Sequence, residues 1–458
     1  MLRHWQSECV GKALDHFKGG QRHFFCQATP AAGKTRMSAE LSKRMLETGM
    51  IDLVVCFAPS REVAQGFRAT LESVVGGKFD GLLGACGTAL TYQAMDYLSE
   101  DFWSLFCNYR VLAIFDEIHH CAVQESGVSN LWGQLIVKRI QESAAYTVGL
   151  SGTPWRSDEM GIALARYSTP EGRLICDFRY SLANAVVEKV CRSPRIMLVD
   201  NGDVQLTVSN SGDCQVKTFE SISSLLKDPV VSYQDLLVNE PALRHMLQLA
   251  NNKLSELRGD IANAAGLVVA STIGHAYLVA EILNALGETA MVVASDSLDA
   301  RKRIQHFREG GQRWIVAVGM VAEGTDIPRL QVCCHVSRIR TELHFRQVLG
   351  RILRRIGGVD KYAWMYIFAE SSLSEFAKRV AEDLPHDLAV LPAVEPASII
   401  SVGSPIEISG SDSLVEEEMA HLLLSGESES NETEFYFQRV ERELAFSEHF
   451  RHQLLAIF

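Results

Sequence analysis

The sequence predicts an α/β protein: two tandem parallel-sheet domains with an acidic C-terminal extension. Three observations carry that expectation. Strand-sized apolar runs alternate with amphipathic stretches up to about residue 160, the same alternation restarts near residue 263, and the composition turns acidic after Pro385. Alternation of this kind means parallel strands covered by helices, with ligands bound beyond the carboxyl ends of the strands.

In the first half, "HFFCQATP", "IDLVVCFAPS", "VLAIFDE" and "YTVGLSGTP" read as strands, each ending in a turn or polar cluster. Stretches such as "TRMSAELSKRMLETG" lie between them with apolar residues at helical spacing. The region from about 168 to 262 is less regular: a polar, hairpin-like piece, "MLVDNGDVQLTVSNSGDCQVKTF", and then helix. "AGLVVAST", "TAMVVAS", "QRWIVAVGM", "QVCCHVS" and "AWMYIFAES" read as a second set of strands, separated by helices such as "IGHAYLVAEILNALG" and "DARKRIQHFREGG". The end is linker-like and polar ("SGESESNETE"), and "EFYFQRVERELAFSEHFRHQLLAIF" reads as a closing amphipathic helix. The expected division is 1–170 for the first domain, 171–262 for connection and decoration, 263–385 for the second domain, and 386–458 for linker plus terminal helix.

The bulk properties agree. A chain of 458 residues exceeds one ordinary core, and 47% hydrophobic with 22% charged residues is the balance of a soluble enzyme. The start is amphipathic without an apolar signal core, and no apolar run is long enough to span a bilayer. A cytoplasmic protein without a membrane partner is expected. Eleven scattered cysteines, with no Cys-x-x-Cys pair, read as buried free thiols. Of the net charge of −12, residues 386–458 carry −11 (14 acids against 3 arginines), so the body is close to neutral. That excludes a broad polycationic coat but allows a local basic channel.

The chemistry begins with "ATPAAGKT", residues 28–35, between a strand and a helix. It fits a phosphate-binding loop with Ala28 where the first glycine usually stands. The small backbone of Thr29, Pro30, Ala31, Ala32 and Gly33 lets N–H groups approach phosphate, and the helix N-terminus adds donors. Lys34 is expected on the β/γ-phosphates of ATP and Thr35 on Mg2+. Such a loop calls for an acidic strand end, which "VLAIFDE" supplies: Asp116 for the metal and Glu117 to activate water. Taken alone, "IFDEIHHC" leaves another reading open. Asp116, Glu117, His119, His120 and Cys121 can all ligate a transition metal, as in a metal-dependent hydrolase.

Here the sequence resembles a family. "ATPAAGKT", "DEIH", "SGTPWR", "AEGTDIP" and "QVLGRILRR" follow the motif order of superfamily 2 helicases, the DEAD/DEAH-box class. The resemblance covers about residues 1–370 and is closest to the DExH branch of bacterial repair helicases and restriction-enzyme motor subunits. It implies two RecA-like domains that bind ATP in their cleft and carry nucleic acid across their top. Residue by residue, "LRHWQ" resembles the adenine-recognition element, with Gln6 on the base and Arg3 nearby. Ser60, Arg61 and Thr91 match nucleic-acid positions. Ser151, Gly152 and Thr153 match the segment coupling the two sites, with glycine where alanine is frequent, and His119 joins them and Gln347 by hydrogen bonds. In the second domain, Ser271, Gly324 and Thr325 match nucleic-acid contacts and Asp326 the ribose or cleft. Gln347, Arg351 and Arg354 share one helical face, and the two arginines match fingers that act on the transferred phosphoryl group.

The function so implied is a nucleic-acid-dependent ATPase, a helicase or translocase, with DNA favoured over RNA. The alternative is a non-unwinding ATP-driven switch whose acidic tail docks a protein partner such as a nuclease.

Overall fold

A computed structural model describes residues 2–123, 130–154, 160–210, 213–294, 299–319, 327–355, 360–382 and 441–456. By its internal contacts the chain divides into a large unit (1–206, 217–392 and 444–458) and a small one (207–216 and 393–443), of which the second lies mostly outside the described residues. The large unit is built on two sheets.

The first sheet contains β1 (His23–Ala28), β2 (Leu53–Ala58), β3 (Gly87–Thr91), β4 (Val111–Asp116), β5 (Tyr146–Ser151) and β6 (Phe178–Tyr180), in the order β6-β1-β5-β4-β2-β3. Every pairing is parallel. Residues of β4 are buried throughout, as expected of a strand covered on both faces. Helices α1 (His4–Lys18), α2 (Lys34–Glu47) and α3 (Arg61–Val75) belong to this layer, and each turns its apolar stripe inward. Register sets the outcome. Gln27 lies opposite Ser151, and Asp116 opposite Leu150. The loop after β1, the acids at the end of β4 and the turn after β5 therefore emerge at one level of one edge.

The second sheet contains β7 (Ser193–Asn201), β8 (Ala265–Ala270), β9 (Ala290–Ala294), β10 (Trp314–Val318), β11 (Leu330–Val336), β12 (Tyr362–Phe368) and β13 (Phe450–Ala456), ordered β9-β10-β8-β11-β12-β7-β13. It is parallel except for the β7–β13 pair. Helices α4 (Glu240–Asp260), α5 (Ile273–Ala285) and α6 (Glu342–Ile352) pack on it. The two tandem RecA-like sheets anticipated from the sequence are present.

Three expectations need correction. Residues 441–456 are not helical: they form strands Glu441–Phe446 and Phe450–Ala456, the latter antiparallel to β7 from Arg195↔Ala456 to Asn201↔Phe450. The apolar residues Leu444, Phe446 and Phe450 fall at even spacing, and a free sheet edge rewards that period over the helical one. The Phe450 ring stacks on His245 of α4, centroids 3.8 Å apart, which fixes the strand in place. Residues 193–201, read as connection, form β7 and pair along β12 in the second sheet. The linker 386–440 lies outside the described residues. All eleven cysteines are free of disulfides, but they are not all buried as expected: Cys107 and Cys214 are exposed and Cys86 and Cys176 half-buried. Among the described residues no helix is long and apolar enough to cross a membrane.

Candidate active site

The loop after β1 turns through two left-handed residues, Ala31 (φ 68°) and Gly33 (φ 98°), and Gly33 caps α2. A Cβ on Gly33 would stand 2.9 Å from Nε2 of Gln6, so the position requires glycine twice over. Gln6 and Arg3, at the start of α1, hold this loop: Gln6 Nε2 donates to the Gly33 carbonyl at 2.9 Å and Arg3 Nη1 to that of Ala32 at 2.5 Å. The first residue of α2, Lys34, is 8% exposed. Its Nζ lies 3.0 Å from Glu117 Oε1 and 3.3 Å from the Ala28 carbonyl.

Glu117 follows β4 in the left-handed region, φ 50°, a conformation that costs a non-glycine residue about 1–3 kcal/mol. That turn aims its carboxylate back over the loop. The buried Tyr92 hydroxyl donates to the Asp116 carbonyl at 2.9 Å and steadies the strand end. On the far side of Glu117, Oε2 lies 3.4 Å from Ser151 Oγ and 3.3 Å from the Gly152 N–H. His119 Nδ1 is 2.9 Å from Ser151 Oγ, and the Thr153 N–H donates to that oxygen at 3.1 Å. The donor inventory closes when His119 carries its proton on Nδ1: Ser151 then accepts from His119 and Thr153 and donates to Glu117.

The electrostatics separate the two acids. Burial and repulsion from Glu117 push Asp116 up to about 7, against the pull of Lys34. Burial opposes ionisation of Glu117 too, but Lys34 and then His119 hold it down at about 2. For Lys34 itself, burial pulls downward and Glu117 with Asp116 outweighs it, so the net shift is upward. Asp116 is thus a carboxylate short of compensating positive charge. A divalent cation held by hard oxygens, its carboxylate and the Thr35 hydroxyl, fits that deficit.

A cavity of about 1200 Å³ opens above this edge. Arg3, Pro30, Ala31, Gly33, Lys34, Thr35, Asp116, Glu117 and Thr153 line it from the first domain; Gln347, Gly350, Arg351 and Arg354, all from the α6 segment, line it from the second. The domains touch at Pro30. A Cβ on Gly350 would fall 2.4 Å from Pro30 Cβ, and one on Gly152 would fall 2.9 Å from Pro30 Cδ. The glycine at 152 is therefore matched to the proline in the loop.

The nucleic-acid positions are placed unevenly. Ser60 and Thr91 lie at the carboxyl ends of β2 and β3, where each caps a helix through its side-chain oxygen (Val63 N–H at 3.3 Å, Ala94 N–H at 3.3 Å), and Arg61 is exposed beside Ser60. Ser271 follows β8, with Oγ 2.8 Å from His275 Nδ1 and 3.4 Å from Gln234 Nε2. Gly324, Thr325 and Asp326 lie outside the described residues. The five side chains of 116–121 do not converge: among the described residues no group of three His, Cys, Asp or Glu is arranged to hold a metal. Sequence reasoning missed Tyr92, and it missed Lys302 and Arg308 of helix Ala300–Glu309, which line the cavity. The alternation of that helix with β9 and β10 gave its existence but not its orientation.

Two α/β sheets, with a phosphate-type loop and an arginine-bearing helix lining one cavity, give a RecA-like fold that resembles the superfamily 2 helicases. Comparison with known proteins agrees. Residues 1–156 match the family described as type III restriction enzyme, res subunit. An uncharacterized protein of Mycobacterium leprae is 28% identical over 368 residues, covering 77% of this chain and 59% of its own length. The DNA 3'-5' translocase XPB2 of Sulfurisphaera tokodaii is 25% identical over 380 residues, covering 77% of this chain and 79% of its own. Among solved structures, a fragment described as an HsdR subunit of a type I restriction enzyme from Vibrio vulnificus aligns with a TM-score of 0.58 at 14% identity, over 84% of this chain and 67% of that one. The chain spans about three fifths of the length of the mycobacterial relatives it matches.

Proposed function

We propose that the protein is a nucleic-acid-dependent ATPase that acts on DNA as a superfamily 2 helicase or translocase. One observation carries the reading. Lys34 and Glu117 meet at 3.0 Å in a cavity that Arg351 and Arg354 also line. A lysine, an acid and two guanidinium groups around one space suit a nucleoside triphosphate.

ATP fits with its phosphates on the N–H groups of 31–35, where the helix N-terminus adds positive potential. Lys34 exchanges its contact with Glu117 for a phosphate oxygen. Asp116 and Thr35 would hold a magnesium ion, which would neutralise charge on the phosphates when bound. Glu117, freed from Lys34, orients water and takes its proton. Arg351 and Arg354 face the charge that develops as the phosphoryl group departs, so turnover requires both domains. Ser151 and His119 tie Glu117 to the turn after β5, which gives the nucleic-acid face a route to the site. DNA is preferred as substrate because the XPB2 relative is named a DNA translocase.

ATPase rates measured in parallel with single-stranded DNA, duplex DNA and RNA test the reading, with Lys34→Ala as the control that should abolish turnover. Stimulation by DNA over RNA is expected. A rate indifferent to every nucleic acid sinks the motor assignment. Strand displacement by the same preparation then separates helicase from translocase.

A further inference from the structure

The connection between the two sheets carries an arginine that no motif marks. Arg192, one residue before β7, is 1% exposed, and its guanidinium is fully used. Nε and Nη2 donate to Oδ1 and Oδ2 of Asp360 at 2.5 and 2.7 Å. Nη1 donates to the carbonyls of Ile352, at 2.7 Å, and Leu330, and Nη2 also reaches that of Pro328 at 2.8 Å. A guanidinium has five N–H donors, and here all five have partners.

Two of those partners matter for chemistry. Ile352 is the last residue of α6, so its carbonyl has no partner within the helix. Asp360 precedes β12, and its position anchors the guanidinium that caps that carbonyl. The backbone repeats the connection: the Arg192 N–H donates to the Leu353 carbonyl at 2.8 Å, and Cys191 pairs with Arg354 in an antiparallel bridge. Cys191 Sγ also lies 3.7 Å from the Pro30 carbonyl of the phosphate-type loop. One short segment therefore touches the loop and grips the end of the helix that carries Arg351.

We propose that Arg192 is a positioning residue, which fixes the C-terminal turn of α6 so that Arg351 and Arg354 point into the cavity. This rests on the ATPase reading above. Lysine cannot substitute, because an ammonium offers three donors from one point and no planar fork.

The test is Arg192→Lys in the full chain, read as kcat and as affinity for a non-hydrolysable ATP analogue. A displaced arginine end should lower kcat by about tenfold or more, since small misplacements of reacting groups cost about that much. Analogue affinity should stay within about twofold, because Lys34 and the loop are untouched. In an Arg351→Ala/Arg354→Ala protein the same change should cost nothing further in kcat, as expected of residues acting in one chain of cause. A wild-type kcat overturns the proposal, and so does an equal loss in both backgrounds, which marks a merely structural pair. If Arg192→Lys does not fold, Asp360→Asn gives the same two readings from the acceptor side. Wild-type protein without ATP turnover removes the ATPase reading itself, and that measurement comes first.

Discussion

The two sheets furnish the cavity by different means. In the first domain the polar lattice around Glu117 joins residues of neighbouring strand ends 32 to 35 positions apart, and Lys34 of the loop on the same edge, 83 positions away. In the second, the helix end that bears Arg351 is held by bonds spanning 136 to 168 positions, through Arg192 and Asp360. The first half is assembled by sheet register and needs only short motifs. The second half uses a buried ion pair whose arginine lies about 160 positions before the residues beside it.

The strongest way to break this contrast is to remove the arginines. Arg351→Ala with Arg354→Ala should lower kcat by about 10³-fold, the scale of an arginine finger, with a much smaller change in ATP affinity. Equal losses of rate and affinity in steady-state and binding assays would assign α6 a structural role. Next, Glu117→Gln should lower kcat by about 10²-fold while bound ATP persists, because the loop and Lys34 remain. Retention of wild-type turnover would show that another group activates the water. Gly350→Ala sharpens the comparison at the contact itself. Its methyl would have to sit 2.4 Å from Pro30, so α6 withdraws and kcat falls by about tenfold, with domain folding intact by circular dichroism. The smallest effect is expected far from the cavity. Deleting 450–458 strips β13 from β7 and should lower the melting temperature, at about 2–4 °C for each kcal/mol lost. A kcat lost as fully as with the arginine pair would mean that the edge strand governs the site.

The strands of both domains were legible because buried parallel strands are unbroken apolar runs, as in "VLAIF" and "QVCCHV". That Lys34, Asp116, Glu117, Arg351 and Arg354 line one cavity was legible because phosphate chemistry, which the motifs suggested, restricts residue type and spacing. Short edge strands such as Phe178–Tyr180 were not, since three residues carry no period. Nor was β13: "FRHQLLA" is weakly amphipathic in either period, and only the open edge of β7 decides between them. Arg192 was invisible for a different reason. An arginine in a polar connection looks solvent-exposed until Asp360, Pro328, Leu330 and Ile352 close around it.

The β7–β13 pairing has a consequence for how the protein is made. Arg451 of β13 bonds to Asp200 of β7, 251 residues earlier. At about 5–20 residues per second, synthesis leaves β7 without that neighbour for about 10–50 s. Throughout that interval the growing chain exposes a row of unsatisfied N–H and C=O groups that can recruit a strand from another molecule. The vulnerable period of this protein thus falls before its completion, and chaperone dependence should track the delay between the two strands.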